Sequence, residues 1–144
     1  MVRNAYLKLV PASARENVTI GEIRELLQYY KQITTKTGNQ VDWNYQEAAF
    51  PYVIHEVEVE NGTWLHLSSN HDRYHAIYIG VIEENITDGE GAEHKQPVIQ
   101  VTLPHTATYG DKGKANEFCK FLGKKLKAEL HLFNGRIMYY YPRK

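Results

Sequence analysis

Two Asn-Gly dipeptides, at 61–62 and 134–135, each lie between runs that alternate apolar and polar residues. Asn and Gly tolerate the left-handed backbone of a tight β-turn, so each pair obliges the chain to double back as an antiparallel hairpin. The register of each hairpin follows from the face it would bury, because a slip of one residue turns every side chain over. At the first, a two-residue Asn61-Gly62 loop sets Leu65 and Leu67 opposite Glu58 and Glu56. A three-residue loop, Glu60-Asn61-Gly62, pairs Val57 with Leu65 and Val59 with Thr63, leaving Glu56 and Glu58 opposite His66 and Trp64. The second arrangement separates apolar from charged residues and is the one expected, with Gly62 left-handed in a bulge. At the second hairpin a two-residue Asn134-Gly135 loop joins residues 129–133 to 136–141. Leu130, Leu132, Ile137 and Tyr139 then share one face, and His131, Phe133, Arg136, Met138 and Tyr140 the other.

The remaining segments fit the same sheet. Residues 5–10 read as a first strand ended by Pro11. Residues 74–82 are apolar on both faces, Ile77, Ile79 and Val81 on one and Ala76, Tyr78 and Ile82 on the other, as in a central strand. Residues 98–103 alternate, with Ile99, Val101 and Leu103 directed inward. Residues 83–95 are polar, acidic and glycine-bearing and read as a surface loop. A helix over residues 20–35 is predicted by Ile23, Leu26, Leu27 and Tyr30 at helical spacing, by a Thr19/Glu22 capping box, and by Gly38 as its stop. A second, over residues 111–128, buries Ala115, Phe118, Cys119, Leu122 and Leu126. Residues 39–51, with Trp43, Tyr45 and Phe50, hold no period and read as a packed loop. The order predicts one α+β domain over residues 1–144, an antiparallel sheet of hairpins with two amphipathic helices packed on it.

At 144 residues the chain is long enough to close a core without metal or disulfide. No apolar run reaches the roughly 20 residues that span a bilayer, and residues 1–6 lack the apolar stretch of a signal peptide. A single cysteine, Cys119, points to a reducing compartment, so the expected location is the cytoplasm. The three Asn-x-Thr sequons, at Asn17, Asn61 and Asn85, then read as chance matches. Net charge is zero, yet residues 1–103 hold eight Lys and Arg against fourteen Asp and Glu, and residues 104–144 hold nine against three. That polarity marks either a binding face or halves that attract each other, and the zero total weighs against general nucleic-acid binding.

Several groups suggest chemistry, and each has a plainer reading. His71, Asp72 and His75 could supply metal ligands, or a base with its orienting carboxylate, but their spacing matches no helical metal motif and they lead into a strand. His55, His66 and His105 could join in space, although a cross-strand pair of His66 with Glu56 accounts for one of them. Gly110-Asp111-Lys112-Gly113-Lys114 could bind an anion at a helix start without being a P-loop. Lys112, Lys114, Lys120, Lys124 and Lys127 form a basic helix that, with Phe133, Arg136 and Tyr140, could hold a polyanion or stack bases. Charge runs are more often solvated faces, and aromatic residues favour strands on propensity alone. Cys119 lies on the buried helical stripe and reads as core.

The segments Ala5-Tyr6-Leu7-Lys8-Leu9-Val10-Pro11-Ala12-Ser13 and Ala48-Ala49-Phe50-Pro51-Tyr52 resemble a small uncharacterised family of bacillar proteins. The resemblance runs along most of the chain and implies a bacterial cytosolic α+β protein, similar in layer architecture to TATA-box-binding proteins. It carries over no catalytic residue, and likeness of fold would not transfer DNA binding. The reading that results is a non-enzymatic binding or protein-interaction module, with a protein partner or a second copy as its ligand and no cofactor. The alternatives are a metal-assisted hydrolase at His71, Asp72 and His75, and a polyanion binder along the basic helix.

Overall fold

The structure, a computed structural model, describes residues 2–15, 17–41 (backbone only for 35–41), 50–60, 62–87 and 89–142. Its elements are β1 (Arg3–Lys8), α1 (Ile20–Val41), β2 (Val53–Val59), β3 (Gly62–Ser68), β4 (Ala76–Thr87), β5 (Glu93–Leu103), α2 (Tyr109–Leu126), β6 (Glu129–His131) and β7 (Ile137–Tyr139). The strands form one sheet in the order β2-β3-β4-β5-β1-β6-β7, antiparallel at every junction. This is the α+β architecture expected, and β4 is a central strand as its two apolar faces imply.

Both helices lie on one face. The buried core joins Ile23 and Leu27 of α1 and Ala115, Phe118, Cys119, Leu122 and Leu126 of α2 to Leu65, Leu67, Ile77, Ile79, Ile99, Val101, Ala5, Leu7 and Leu130 of the sheet. The helices meet through aromatic edges, with Tyr30 against Phe118 at 5.3 Å and Phe121 at 5.1 Å between ring centroids. Thr19 and Glu22 exchange the two capping hydrogen bonds predicted for α1, at 3.0 and 3.2 Å. The helix runs on to Val41, through Gly38. Of the segment expected to be a packed loop, residues 39–41 are thus helical, Phe50 is buried, and residues 42–49 lie outside those described. β1 also begins and ends two residues earlier than expected.

Both hairpin registers differ from expectation, in opposite senses. In the first, Val59 stands opposite Gly62 and Glu56 opposite Leu65, so two residues separate the strands; Asn61 itself lies outside the described residues. In the second, Leu132 N–H donates to Arg136 C=O at 2.8 Å, leaving a three-residue loop with Gly135 left-handed at φ 87°. The physical reason is the same at both ends: these are the outer strands, and the helix layer covers them only partly. On β2 the covered face reaches Ile54 alone, so Glu56 can occupy that face and reach Arg24 of α1 at 3.3 Å. The β2 valines consequently turn to the other side. On the second hairpin Leu130 and Met138 point to the helices, while Ile137 and Tyr139 point away.

Residues 83–95 also depart from the expected loop. β4 and β5 pair without interruption from Tyr78↔Thr102 to Thr87↔Glu93, so the hairpin extends as an arm with both faces wet, which explains its polar composition.

Candidate binding face

With both helices on one side, the opposite face of the sheet carries no covering element among the described residues. The registers align its side chains in rows. One row crosses all seven strands: Val57, Trp64, Gly80, Gln100, Tyr6, His131 and Ile137. A second crosses five: His55, His66, Tyr78, Thr102 and Asn4.

Local packing orders the side chains of this face. Gly80 is the slot for Trp64, since a Cβ there would stand 2.2 Å from the indole ring. His66 stacks on Tyr78 with ring centroids 4.6 Å apart and planes 13° from parallel. His55 is 6.2 Å from His66 across the strand pair, in place of the expected Glu56. Burial and the neighbouring His55 and His75 hold the His66 imidazole below its ordinary range, which favours the neutral ring.

At the centre, Gln100 Nε2 donates to Asn4 Oδ1 at 3.2 Å and to Thr102 Oγ1 at 3.0 Å, and the Thr102 hydroxyl donates to Asn4 Oδ1 at 2.7 Å. The charged groups are paired too. Lys8 meets Glu84 at 3.4 Å, and Glu129 accepts from Tyr141 at 2.9 Å and lies 2.7 Å from His131 Nε2. Burial alone would raise the Glu129 carboxyl, but the hydrogen bonds from His131 and Tyr141, with the charges of His131 and Lys8, leave it below the usual carboxylate range. The flanks are apolar. Val53, Val57 and Val59 are 61%, 38% and 48% exposed at one edge, and Ile137 and Tyr139 are 41% and 40% exposed at the other.

The residues singled out from sequence lie elsewhere. His71, Asp72 and His75 belong to the turn before β4. His71 Nδ1 accepts from Arg73 N–H at 3.2 Å, and His75 N–H donates to Asp111. Among the described residues no group of three His, Cys, Asp or Glu is arranged to hold a metal ion. Lys112, Lys120, Lys124 and Lys127 are exposed on α2 or at its end, whereas Lys114 is tied to Glu117 at 3.1 Å. Phe133 and Tyr140 pack against the core, the Tyr140 ring filling the space beside Gly123, and Arg136 is exposed at the hairpin. Both rings are thus half-buried supports of the fold, Tyr140 against α2 itself. Cys119 is fully buried, and burial pushes its thiol up to about 12.

The glycine-bearing start of α2 serves the fold. Thr108 caps the helix, and Asp111 accepts from Thr108 N–H at 3.0 Å to complete a capping box. The Asp111 carboxylate, fully buried, also accepts from the Tyr52 hydroxyl at 2.5 Å and from the amides of His75 and Ala76 at 3.0 and 3.3 Å. An anion approaching this turn would meet a carboxylate that already holds the local donors.

Sequence reasoning missed the open face. Its one signal was Gly80 inside a strand otherwise free of turn residues, which marks a close approach.

The fold and face together define an open-faced α+β module: a seven-stranded antiparallel sheet, armoured by helices on one side and, among the described residues, bare on the other. The chain belongs to the family described as domain of unknown function DUF1885, whose pattern it matches over residues 3–142. It is similar to the crystal structure of a protein of unknown function from Bacillus stearothermophilus, at 41% identity over 88% of this chain and 91% of that one, with a TM-score of 0.51. No curated protein matches it. No helix among the described residues is long and apolar enough to cross a membrane.

Proposed function

We propose that this chain is a non-enzymatic protein-binding module of the bacterial cytosol, and that the bare sheet face is its contact surface. The observation that carries the reading is the distribution of exposed apolar side chains. Of ten large hydrophobic residues exposed among the described residues, six (Val53, Val57, Val59, Ile86, Ile137 and Tyr139) lie on this one face by register. Exposed apolar residues gathered on one side mark association surfaces, whereas scattered ones do not. The side chains of Gln100, Thr102 and Asn4 at its centre already bond one another, so covering that part with another protein leaves few of its donors or acceptors unmet. Among the described residues the ions of this face are paired, Lys8 with Glu84 and Glu129 with His131, which argues for protein over polyanion. The Bacillus neighbour and the single buried thiol support the cytosolic placement.

Site-specific photo-crosslinking in living cells tests this. A benzoyl-phenylalanine at position 57 or 139 is expected to form protein adducts, and the same group at Lys120 on the outside of α2 is not. Equal adducts at all three positions, or adducts at Lys120 alone, would refute the assignment.

A further inference from the structure

Resting on that reading, we infer that the occupant of the bare face is a second copy of this chain, packed sheet on sheet. The pattern of the face is its own image. Apolar residues flank it at both edges, Val53, Val57 and Val59 on β2 and Ile137 and Tyr139 on β7. A neutral polar centre of Gln100, Thr102 and Asn4 lies between them. β5 is the middle strand of the seven. Turn a copy over about a two-fold axis along the strands, and β2 faces β7 while β5 faces itself. Turn it about an axis across the strands, and each strand faces its own counterpart. In both cases apolar flank meets apolar flank and polar centre meets polar centre, the self-complementarity a two-fold interface requires.

Charge permits the contact. Among the described residues the ionic groups on this face are paired within the chain, Lys8 with Glu84 and Glu129 with His131, so two copies bring no uncompensated like charges of these groups together. The size also suits. Strands about 4.8 Å apart, each presenting roughly five residues at about 3.4 Å, give a projected patch on the order of 500 Å². Two such patches bury about 1,000 Å² or more, the scale at which specific interfaces begin. Aligned sheets pack about 10 Å apart with strands some 30° from parallel, a geometry that the flat Trp64 indole over Gly80 and the His66–Tyr78 stack leave unobstructed.

Sedimentation of the purified full chain over a wide concentration range tests the proposal, beside the crosslinking above. The expected result is a reversible monomer–dimer equilibrium. Val57→Asp with Ile137→Asp, both at exposed positions, is expected to weaken it by roughly 100-fold, because each carboxylate would be buried in an apolar contact. Lys120→Asp with Lys124→Asp is expected to leave it unchanged. The adducts at positions 57 and 139 should then have the mass of two copies. Should the double Asp variant fail to keep its circular dichroism spectrum, the wild-type chain still decides through a Trp64 emission that shifts with concentration, with Trp64→Phe as the blank. A monomer at all concentrations whose open face crosslinks to a different protein overturns the second copy but leaves the binding face standing. A monomer with no open-face adducts overturns both. A dimer lost only on changing α2, or RNA binding that the Val57 and Ile137 changes abolish in a monomeric chain, also overturns it.

Discussion

Asp111 is where removal of a few atoms should cost most. Its carboxylate, fully buried, accepts from the Tyr52 hydroxyl at 2.5 Å and from the amides of Thr108, His75 and Ala76 at 3.0 to 3.3 Å. It thereby fastens the start of α2, the beginning of β4 and the strand-leading Tyr52 to one group. Asp111→Ala strands four donors, each costing about 1–3 kcal/mol when left unmet in the interior, and opens space beside Tyr52. The sum is not additive, and measured losses on breaking buried charged networks put the expected cost at about 3–5 kcal/mol. Asp111→Asn keeps one acceptor but turns an NH₂ toward the donors, for about 2–3 kcal/mol. Thr108→Ala removes the cap and the hydroxyl's bond to Arg73 C=O, for about 1–2 kcal/mol, and Tyr52→Phe one bond, for about 1–2 kcal/mol. Against a typical total stability of about 5–15 kcal/mol the alanine variant is near the edge of folding. Urea unfolding followed by far-ultraviolet circular dichroism measures all four. If Asp111→Asn loses less than about 1 kcal/mol, or no more than Thr108→Ala, the carboxylate is a helix cap alone and the reasoning fails.

Three further outcomes follow from the same geometry. Gly80→Ala should improve strand propensity yet destabilise by about 1–3 kcal/mol, because its methyl would collide with Trp64; an unchanged melting temperature and Trp emission would contradict this. Gly123→Ala meets the Tyr140 ring at 2.8 Å and should destabilise, but in a Tyr140→Ala background the same change should stabilise by roughly 0.5–1 kcal/mol through helix propensity. The His66 imidazole titrates below its unfolded value, so the unfolded chain binds more protons near pH 6. Its contribution to stability is therefore complete above about pH 6.5 and is lost as pH falls through the folded value. His66→Gln should flatten the midpoint of urea unfolding between pH 7 and 5, and an equally steep decline in that variant would remove His66 as the cause.

The sequence made the helices and inner strands legible because their buried faces repeat over enough residues to show a period. Ile23 and Leu27, Phe118 to Leu126, and the alternation Ile99, Val101, Leu103 are of this kind. The hairpin registers were not legible. The same Asn-Gly dipeptide serves two loop lengths, and the choice rests on how far α1 and α2 reach over β2 and β7, which no local residue encodes. Residues 83–95 read as a loop because an arm wet on both sides has no apolar stripe to reveal it. Asp111 looked like part of a basic anion-binding turn, since the partners that claim it, Tyr52 and His75, lie 59 and 36 residues away. The binding face escaped notice for a related reason. Tyr6, Trp64, His66 and Tyr78 belong to three strands, and only the sheet order brings those strands to one face.

The place of β1 in that order has a kinetic consequence. β2, β3 and β4 each pair with the strand next made, so this meander can close as it leaves the ribosome. β1 pairs with neither of the strands that follow it first. Lys8 lies opposite Val98 on one side and Glu129 on the other, so this strand waits for partners about 90 and 120 residues downstream. At roughly 5–20 residues per second the wait lasts on the order of 5–25 s. Throughout it Ala5, Leu7 and Leu9 are exposed on an unpaired strand, a natural handle for chaperones. Made before the rest of the sheet, they are among the last of it to find shelter.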